Sequence, residues 1–296
     1  MQYTKQALTF EQQADQLIQR GMAGERSLII SRLTSVNYYR LIAYWDPFRK
    51  TGCEAFKDGT SMELVWDRYV FDRRLRLLVM DAIERIEIAV RCHLAYEHAH
   101  AHGAFGYAND HLSLPKLNAN EHKVFLRHVR AEYGRSKEKF AEHFQLKYGL
   151  NHPDLPVWMA TEIMAFGTLL SFFRGASHHV KKNVASVFGM PDKVFDSWLH
   201  TLSYVRNICA HHARLWNREL GVKPLIPRQR EYPDWHTPFT MQNNRAFAIL
   251  TLCCYCVRRI APQSSWDVRF MALLDAYPKI PRDEMGFPPI DSCIYN

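Results

Sequence analysis

The sequence lacks an apolar run of the ~20 residues that a helix needs to cross a bilayer. Its start, MQYTKQALTF, lacks the apolar core of a secretion signal. Cysteine is scarce, and its count of seven is odd, which is unlike the paired framework of a disulfide-stabilised extracellular domain. These absences argue against a helical membrane protein and a disulfide scaffold. We therefore expect a cytoplasmic protein with no membrane partner.

The sequence also has no internal repeat, no low-complexity segment and no glycine-rich phosphate loop. Strand-like alternation is scarce, and helical periodicity dominates. With 296 residues, of which 47% are hydrophobic, the chain can bury a substantial core. The predicted fold class is all-α, with an N-terminal helical and aromatic region over residues 1–62 and a helical domain over 63–296.

Apolar spacing and helix breakers predict where the elements lie. The segment 37–60 is aromatic and is predicted to be irregular, because Pro47, Gly52 and Gly59 interrupt it. A long basic helix follows, with an apolar stripe through Leu75, Leu78, Ala82, Ile86, Ala89 and Leu94. The predicted helices are Thr9–Arg20, Glu25–Val36, Glu63–Ala101, Glu121–Tyr148, Trp158–Phe173, Leu202–Leu220, Arg245–Ile260 and Trp266–Ala276.

Positive charge is in excess, with 38 Lys and Arg against 30 Asp and Glu, a net charge of +8. A basic protein favours polyanionic partners because binding releases counterions, although this balance does not identify the polyanion.

The segment LHTLSYVRNICAHHARLWNREL is predicted to form a single helix with two distinct faces. At about 100° per residue, Leu202, Val205, Cys209, Ala213, Trp216 and Leu220 share a narrow sector that is typical of a core-packed face. The opposite side carries Asn207, His211, Arg214 and Arg218. No acidic residue lies on this stripe, so its potential suits an RNA phosphate.

Arg206 lies roughly 140° from His211 on an ideal helix, so one helix cannot easily direct both side chains at one phosphate. Two copies of the helix packed face to face can do so, which predicts a composite site in a homodimer. Histidine transfers protons near neutrality, and arginine stabilises charge on phosphoryl oxygens. With Asn207 as an orienting group, these residues suit RNA cleavage by the 2′-OH, without metal or other cofactor.

Two other classes of function remain open. A catalytically silent RNA-binding module would use the same basic face only to grip a structured RNA. An adaptor would use the helical bundle only for protein association.

Arg206–His211 resembles the R-x4-6-H motif of HEPN domains, and longer stretches resemble the bacterial abortive-infection (Abi) family, its AbiD/AbiF-like group. The resemblance implies an α-helical HEPN-like bundle with additional N-terminal helices and metal-independent cleavage that leaves a 2′,3′-cyclic phosphate. It further implies a growth-arresting toxin in phage defence and a structured noncoding RNA as antitoxin or guide. Catalysis would fall on Arg206 and His211, supported by Asn207. The matching stretches are LTFEQQADQLIQRG, VNYYRLIAYWDPF, YVFDRRLRLLVMDAIERIEIAVR, PVWMATEIMAFGTL, YVRNICAHHARLWNREL and MGFP.

Further residues are candidate RNA contacts, each with a structural alternative. Tyr38, Tyr39 and Arg40 suit base stacking with phosphate contact, or equally an aromatic cluster that fixes the N-terminal helices to the core. Arg73 and Arg76 suit an RNA backbone, or ion pairs with nearby carboxylates such as Asp72. The candidates on and beside the predicted catalytic helix are His212, Arg214 and Arg218.

Histidines and cysteines also cluster, and we interpret both clusters as structural. Among His93, His98, His100 and His102, only His98 and His102 share a helical face, so a solvated helix end is favoured over a metal site. Cys253, Cys254 and Cys256 lie in an apolar helix and are assigned to the core. Glu84 and Arg85 are either supports for the catalytic helix or an ordinary ion pair.

Overall fold

The computed structural model describes residues 2, 4, 6–237 and 239–288. Within these residues the chain is helical and forms no strand, which confirms the all-α fold class. Two compact units are present, one within Met1–Arg76 and Met271–Ile280, the other within Leu77–Phe270 and Pro281–Asn296. The change of unit falls inside the long helix that the sequence predicts, between Arg76 and Leu77.

The first unit begins with two helices of ten residues each, α1 (Phe10–Gln19) and α2 (Arg26–Ser35), which pack against each other. Thr9 starts α1 with a reciprocal capping box, in which its hydroxyl accepts a hydrogen bond from the backbone of Gln12. Both helices were expected from the sequence, and both are confirmed.

The third helix, α3 (Tyr38–Trp45), corrects the expectation of an irregular segment from residue 37. Asn37 caps it by accepting a hydrogen bond from the Tyr39 backbone at 2.8 Å. The first breaker, Pro47, comes only after two helical turns, and burial of Leu41, Tyr44 and Trp45 stabilises them.

A buried polar group fixes α3 to the first part of α4 (Met62–His102). The Tyr44 hydroxyl donates to the Asp72 carboxylate at 2.7 Å, and Arg76 pairs with the same carboxylate. Burial and the adjacent carboxylate raise the pKa of Tyr44, so the hydroxyl stays protonated as a donor. Leaving any one of these buried groups without its partners would be costly.

The second unit contains the rest of α4 and most later helices. The single helices that the sequence predicts over 121–148 and 158–173 are each two helices. The backbone is extended at Ser136 in the first of these segments and at Met164 and Ala165 in the second. The remaining bounds are α5 Gly106–Asn109, α6 Ala119–Arg135, α7 Lys139–Tyr148, α8 Val157–Ile163, α9 Phe166–Gly175, α10 His178–Val187, α11 Asp192–Ala210, α12 Ala246–Ile260 and α13 Trp266–Ala276.

Helix α11 lies at the centre of this unit, where it packs on α9 and α10. Its aromatic side chains form much of the contact: Phe195 stacks on Phe188 at 4.4 Å between ring centroids and meets Phe173 edge-on at 5.8 Å. Trp198, also fully buried, donates to the Leu225 carbonyl at 2.8 Å. These contacts hold the N-terminal half of α11 in a defined position.

The buried stripe predicted for α4 is confirmed, because its residues are buried except for half-buried Ala89. The core assignment of Cys253 and Cys256 is also confirmed, whereas Cys254 is half-buried. Burial raises the pKa of the Cys253 thiol, which therefore stays protonated.

The expectation that His98 lies at a solvated helix end is wrong. Its ring is fully buried against Phe172, at 4.9 Å between centroids, and neither ring nitrogen has a hydrogen-bond partner. Burial, reinforced by neighbouring His102, lowers the pKa of His98 to about 3. The periodicity places His98 and His102 on one face but does not show that α9 covers that face.

His98 should therefore make the protein sensitive to acid. Between its unfolded pKa of about 6.5 and its folded pKa of about 3, the unfolded chain binds a proton that the folded protein does not, so stability falls as the pH falls. At pH 5 the loss is about 2 kcal/mol relative to neutral pH. Denaturant titrations of the wild type and His98→Leu, at pH 5 and at neutral pH, measure this loss of unfolding free energy.

His98→Leu is expected to lose this component of the acid dependence. The matched control is His100→Leu, which removes an exposed histidine two residues along the same helix and should behave as the wild type. Equal acid dependence of the wild type and His98→Leu would contradict the prediction.

Candidate functional site

Helix α11 ends at Ala210, so the prediction of one helix over Leu202–Leu220 is wrong. The chain leaves the helix at His212, whose φ of 56° is the left-handed conformation. The His212 amide donates to the Cys209 carbonyl at 3.0 Å and the Ala213 amide to the Ile208 carbonyl at 2.9 Å. This pair of bonds is the Schellman motif, which usually has glycine where this chain has His212.

The helix end separates the residues of the polar stripe. Asn207 lies in the last turn of α11, and His211 is the C-cap, with its amide donating to the Asn207 carbonyl at 3.0 Å. Arg214 and Arg218 lie beyond the helix, where the Arg218 guanidinium donates to the Arg214 carbonyl at 2.8 Å. The four side chains therefore do not form one helical face.

The predicted burial of Trp216 and Leu220 is nevertheless confirmed, because the chain turns back and both are buried in the same unit. Two hydrogen bonds hold this return: the Leu220 amide donates to the Asn244 carbonyl at 2.9 Å, and the Arg245 guanidinium donates to the Asn217 carbonyl at 3.0 Å. The segment after the helix is therefore fixed in place.

Residues near the end of the described chain hold this segment as well. The Asn217 amide donates to Glu284 at 2.9 Å. Gly286 has a φ of 87° and lies so close to Arg245 that a β-carbon there would be 2.6 Å from the Arg245 Cβ. Phe287 then contacts Phe247, at 4.5 Å between ring centroids. The MGFP stretch is thus positioned beside the chain that follows the motif, a link that sequence spacing did not reveal.

Arg206 and Asn207 lie in the last turns of α11, and His211 follows as its C-cap. Arg206 is half-buried, whereas the side chains of Asn207 and His211 are exposed. The Arg206 guanidinium donates to the Asn207 side-chain oxygen at 3.3 Å, so the amide orients the cation. His212 is exposed beside them.

The C-terminal end of a helix carries partial negative charge, which does not attract a phosphate. Binding of an anion here must therefore come from the side chains, and cations at this position also favour the helix itself. Arg206, Arg214 and Arg218 supply that charge along consecutive parts of the chain.

A groove of about 380 Å³ lies beside Arg206 in the second unit. Its other side is α4, which contributes Glu84, as the sequence allowed. Sequence reasoning missed the apolar residues here. The sequence could have indicated them, because Leu77 and Ile88 are apolar but lie outside the predicted buried stripe of α4. The groove is lined by Leu77, Met80, Asp81, Ile83, Glu84, Glu87, Ile88 and Arg206.

The remaining candidate RNA contacts belong to the first unit. Arg76 is buried and pairs with Asp72, which favours the ion-pair alternative and leaves it out of an RNA-binding surface. Tyr38 packs edge-on against Trp45 at 5.0 Å, and its hydroxyl accepts from Arg20 at 2.8 Å, as the structural alternative predicts. Tyr39, Arg40 and Arg73 are exposed.

The described residues contain no group of three His, Cys, Asp or Glu side chains that could hold a metal ion. No helix of the described chain combines the length and low charge needed to cross a membrane.

The fold and this site define an all-α protein with an arginine, an asparagine and a histidine at the end of a central helix. The pattern of one protein family, described as Abi-like protein, matches residues 31–217, more than half of the chain. The chain therefore belongs to the Abi-like protein family, which connects it with abortive infection. No curated protein and no solved structure matches the chain.

The left-handed backbone conformation of His212 predicts how substitutions there change stability. A side chain in the left-handed conformation costs about 1 kcal/mol relative to glycine, so His212→Gly should be more stable than His212→Ala by about that amount. Both variants lose the imidazole, so the difference reports the backbone alone. Urea denaturation measures it.

The matched control is His200, exposed within α11, where the order should reverse because glycine destabilises a helix interior by about 1 kcal/mol relative to alanine. The same order at both positions would contradict the assignment of the helix end.

Proposed function

We propose that this protein is a metal-independent endoribonuclease of the HEPN type, which acts as a toxin in abortive infection. The observation that carries the proposal is the hydrogen bond between Arg206 and Asn207 in the last turns of α11, with an exposed His211 capping the same helix end. The family membership supports the same biological setting, because abortive infection is compatible with RNA damage as the growth-arresting event.

The proposed reaction needs only a proton carrier and a cation. His211 accepts the proton of an RNA 2′-OH, and the O2′ attacks the adjacent phosphorus. Arg206 stabilises the charge that develops on the phosphoryl oxygens, and Asn207 holds the guanidinium through its side-chain oxygen. The bond from phosphorus to O5′ breaks, and the leaving oxygen takes up a proton. The products are a 2′,3′-cyclic phosphate and a 5′-OH.

The roles of the remaining cations follow from their positions. Arg214, Arg218 and His212 continue directly from the helix end and bind the flanking phosphates of the RNA. Tyr39, Arg40 and Arg73, which are exposed, are proposed to contact RNA through stacking and phosphate contacts. We propose a structured noncoding RNA as antitoxin or guide. Sequencing the RNA that copurifies with the protein would identify it.

Cleavage of RNA in the presence of EDTA tests the catalytic assignment. Arg206→Ala and His211→Ala should each lower the rate by at least about a hundredfold, since general acid–base catalysis and electrostatic stabilisation each contribute about that factor or more. The matched controls are His200→Ala, an exposed histidine of α11, and Arg230→Ala, an exposed arginine of the same unit. Both should cleave at the wild-type rate.

Undiminished cleavage in Arg206→Ala or His211→Ala would overturn the assignment. RNA that is bound but not cleaved by the wild type, with weaker binding in both variants, would instead identify the catalytically silent RNA-binding module. Mass analysis of the cleaved ends provides a second check, because a terminal 3′-OH is incompatible with attack by the 2′-OH.

A homodimer with a composite site predicts complementation. Neither Arg206→Ala nor His211→Ala protomers should cleave alone, but mixed dimers contain one site of two with both residues intact and should recover about half of wild-type activity. Mixed dimers purified through two different affinity tags give the measurement. Inactivity of verified mixed dimers would contradict a site shared in this way.

A further inference from the structure

One face of α4 is exposed although it is partly apolar. Leu77 and Ile88 expose 61% and 55% of their surface, and Glu84 and Cys92 are exposed as well. At 100° per residue these four side chains share a sector about 80° wide and extend along about 22 Å of the helix. We refer to Leu77, Glu84, Ile88 and Cys92 as the exposed α4 face.

Single exposed apolar residues are common on protein surfaces and need no explanation. These two differ because they border the groove beside Arg206, to whose lining half-buried Met80 also contributes. The exposed apolar side chains therefore lie at the edge of the candidate site.

Some charged side chains of the groove form ion pairs and others do not. Asp81 pairs with Arg85 and with Arg269, at 3.3 and 2.6 Å, and Glu87 pairs with Arg91. In the part of the chain that the structure describes, neither Glu84 nor Arg206 belongs to an ion pair. An unpaired carboxylate and an unpaired guanidinium thus lie on the same small surface.

Opposite charges on one surface make it self-complementary under a two-fold axis. In an isologous pair, each patch meets a copy of itself, so Arg206 of each protomer faces a carboxylate of the other. The same arrangement covers both apolar side chains.

We propose that the exposed α4 face, together with Arg206, is the surface through which two copies of this chain associate, with reciprocal pairing of Glu84 and Arg206 while no RNA is bound. This inference deepens the proposed function by naming the dimer surface, and it brings the two α11 ends to one interface. Its test is the oligomeric state, which is measured without RNA.

Sedimentation velocity over a concentration series tests the apolar part of the face. The wild type should dimerise, and Ile88→Asp should weaken self-association about a hundredfold, because a carboxylate would be buried unpaired at the interface. The matched control is Leu146→Asp, which charges a residue of α7 that is 89% exposed. It should dimerise as the wild type does. Circular dichroism verifies that each variant is folded.

Charge reversal tests the pairing. Glu84→Arg and Arg206→Glu should each weaken the dimer about tenfold or more, and their combination should restore it, since the opposite charges then face each other again. Failure of the combined variant to recover would overturn the reciprocal pairing.

Cys92 provides a measurement that needs no variant. Its reaction with N-ethylmaleimide, followed by peptide mass analysis, should slow as the protein concentration rises, whereas exposed Cys53 of the first unit should react at a constant rate. A monomer at every concentration, or a dimer that Ile88→Asp leaves intact, would overturn the proposed surface. Cleavage by a protein that remains monomeric would leave the proposed ribonuclease standing, and a dimer without cleavage would leave the surface standing.

Discussion

The reversal of the chain at His212 is the constraint on which the candidate site depends. Two backbone hydrogen bonds close the end of α11 there, and the left-handed conformation turns the following residues away from the helix axis. As a result Arg206, Asn207 and His211 occupy a helix end. Arg214 and Arg218 lie in the segment that follows the helix, and Trp216 of the same segment is buried in the core. A continued helix would have aligned the cations along one face. It would not have placed Leu220 and Asn217 where Asn244 and Arg245 form hydrogen bonds with them.

Burial and charge divide the polar residues of this protein into two groups. Tyr44, Asp72 and Arg76 are buried together and satisfy one another, so their chemistry is used within the fold. Arg206, Asn207 and His211 at the end of α11 are instead exposed or half-buried, and Arg206 bonds to the Asn207 side chain. Ion pairs such as that of Arg76 with Asp72 therefore remove part of the chain's positive charge from its surface.

Much of the helical fold was predictable from particular patterns. The apolar stripe of α4 and the flanking glycines of α1 and α2 predict those helices, because the periodicity of burial is a local property. Breaks within longer periodic segments were missed at Ser136 and Met164, since no glycine or proline occupies the break itself and the nearby Gly134 and Gly167 lie inside the adjoining helices. The end of α11 was missed for the same reason: histidine occupies the position where glycine would have indicated a helix end.

The sequence alone determined the helical class, the family pattern and the residues that bring chemistry to the site, because composition, periodicity and motif spacing are written along the chain. Tertiary structure decided which of those residues are accessible. His98 is buried because α9 covers it, and Arg76 is buried because Asp72 and Tyr44 surround it. Leu77 and Ile88 stay exposed because no described helix covers their side of α4. Accessibility depends on neighbours that are distant in sequence, and one chain read residue by residue does not specify them.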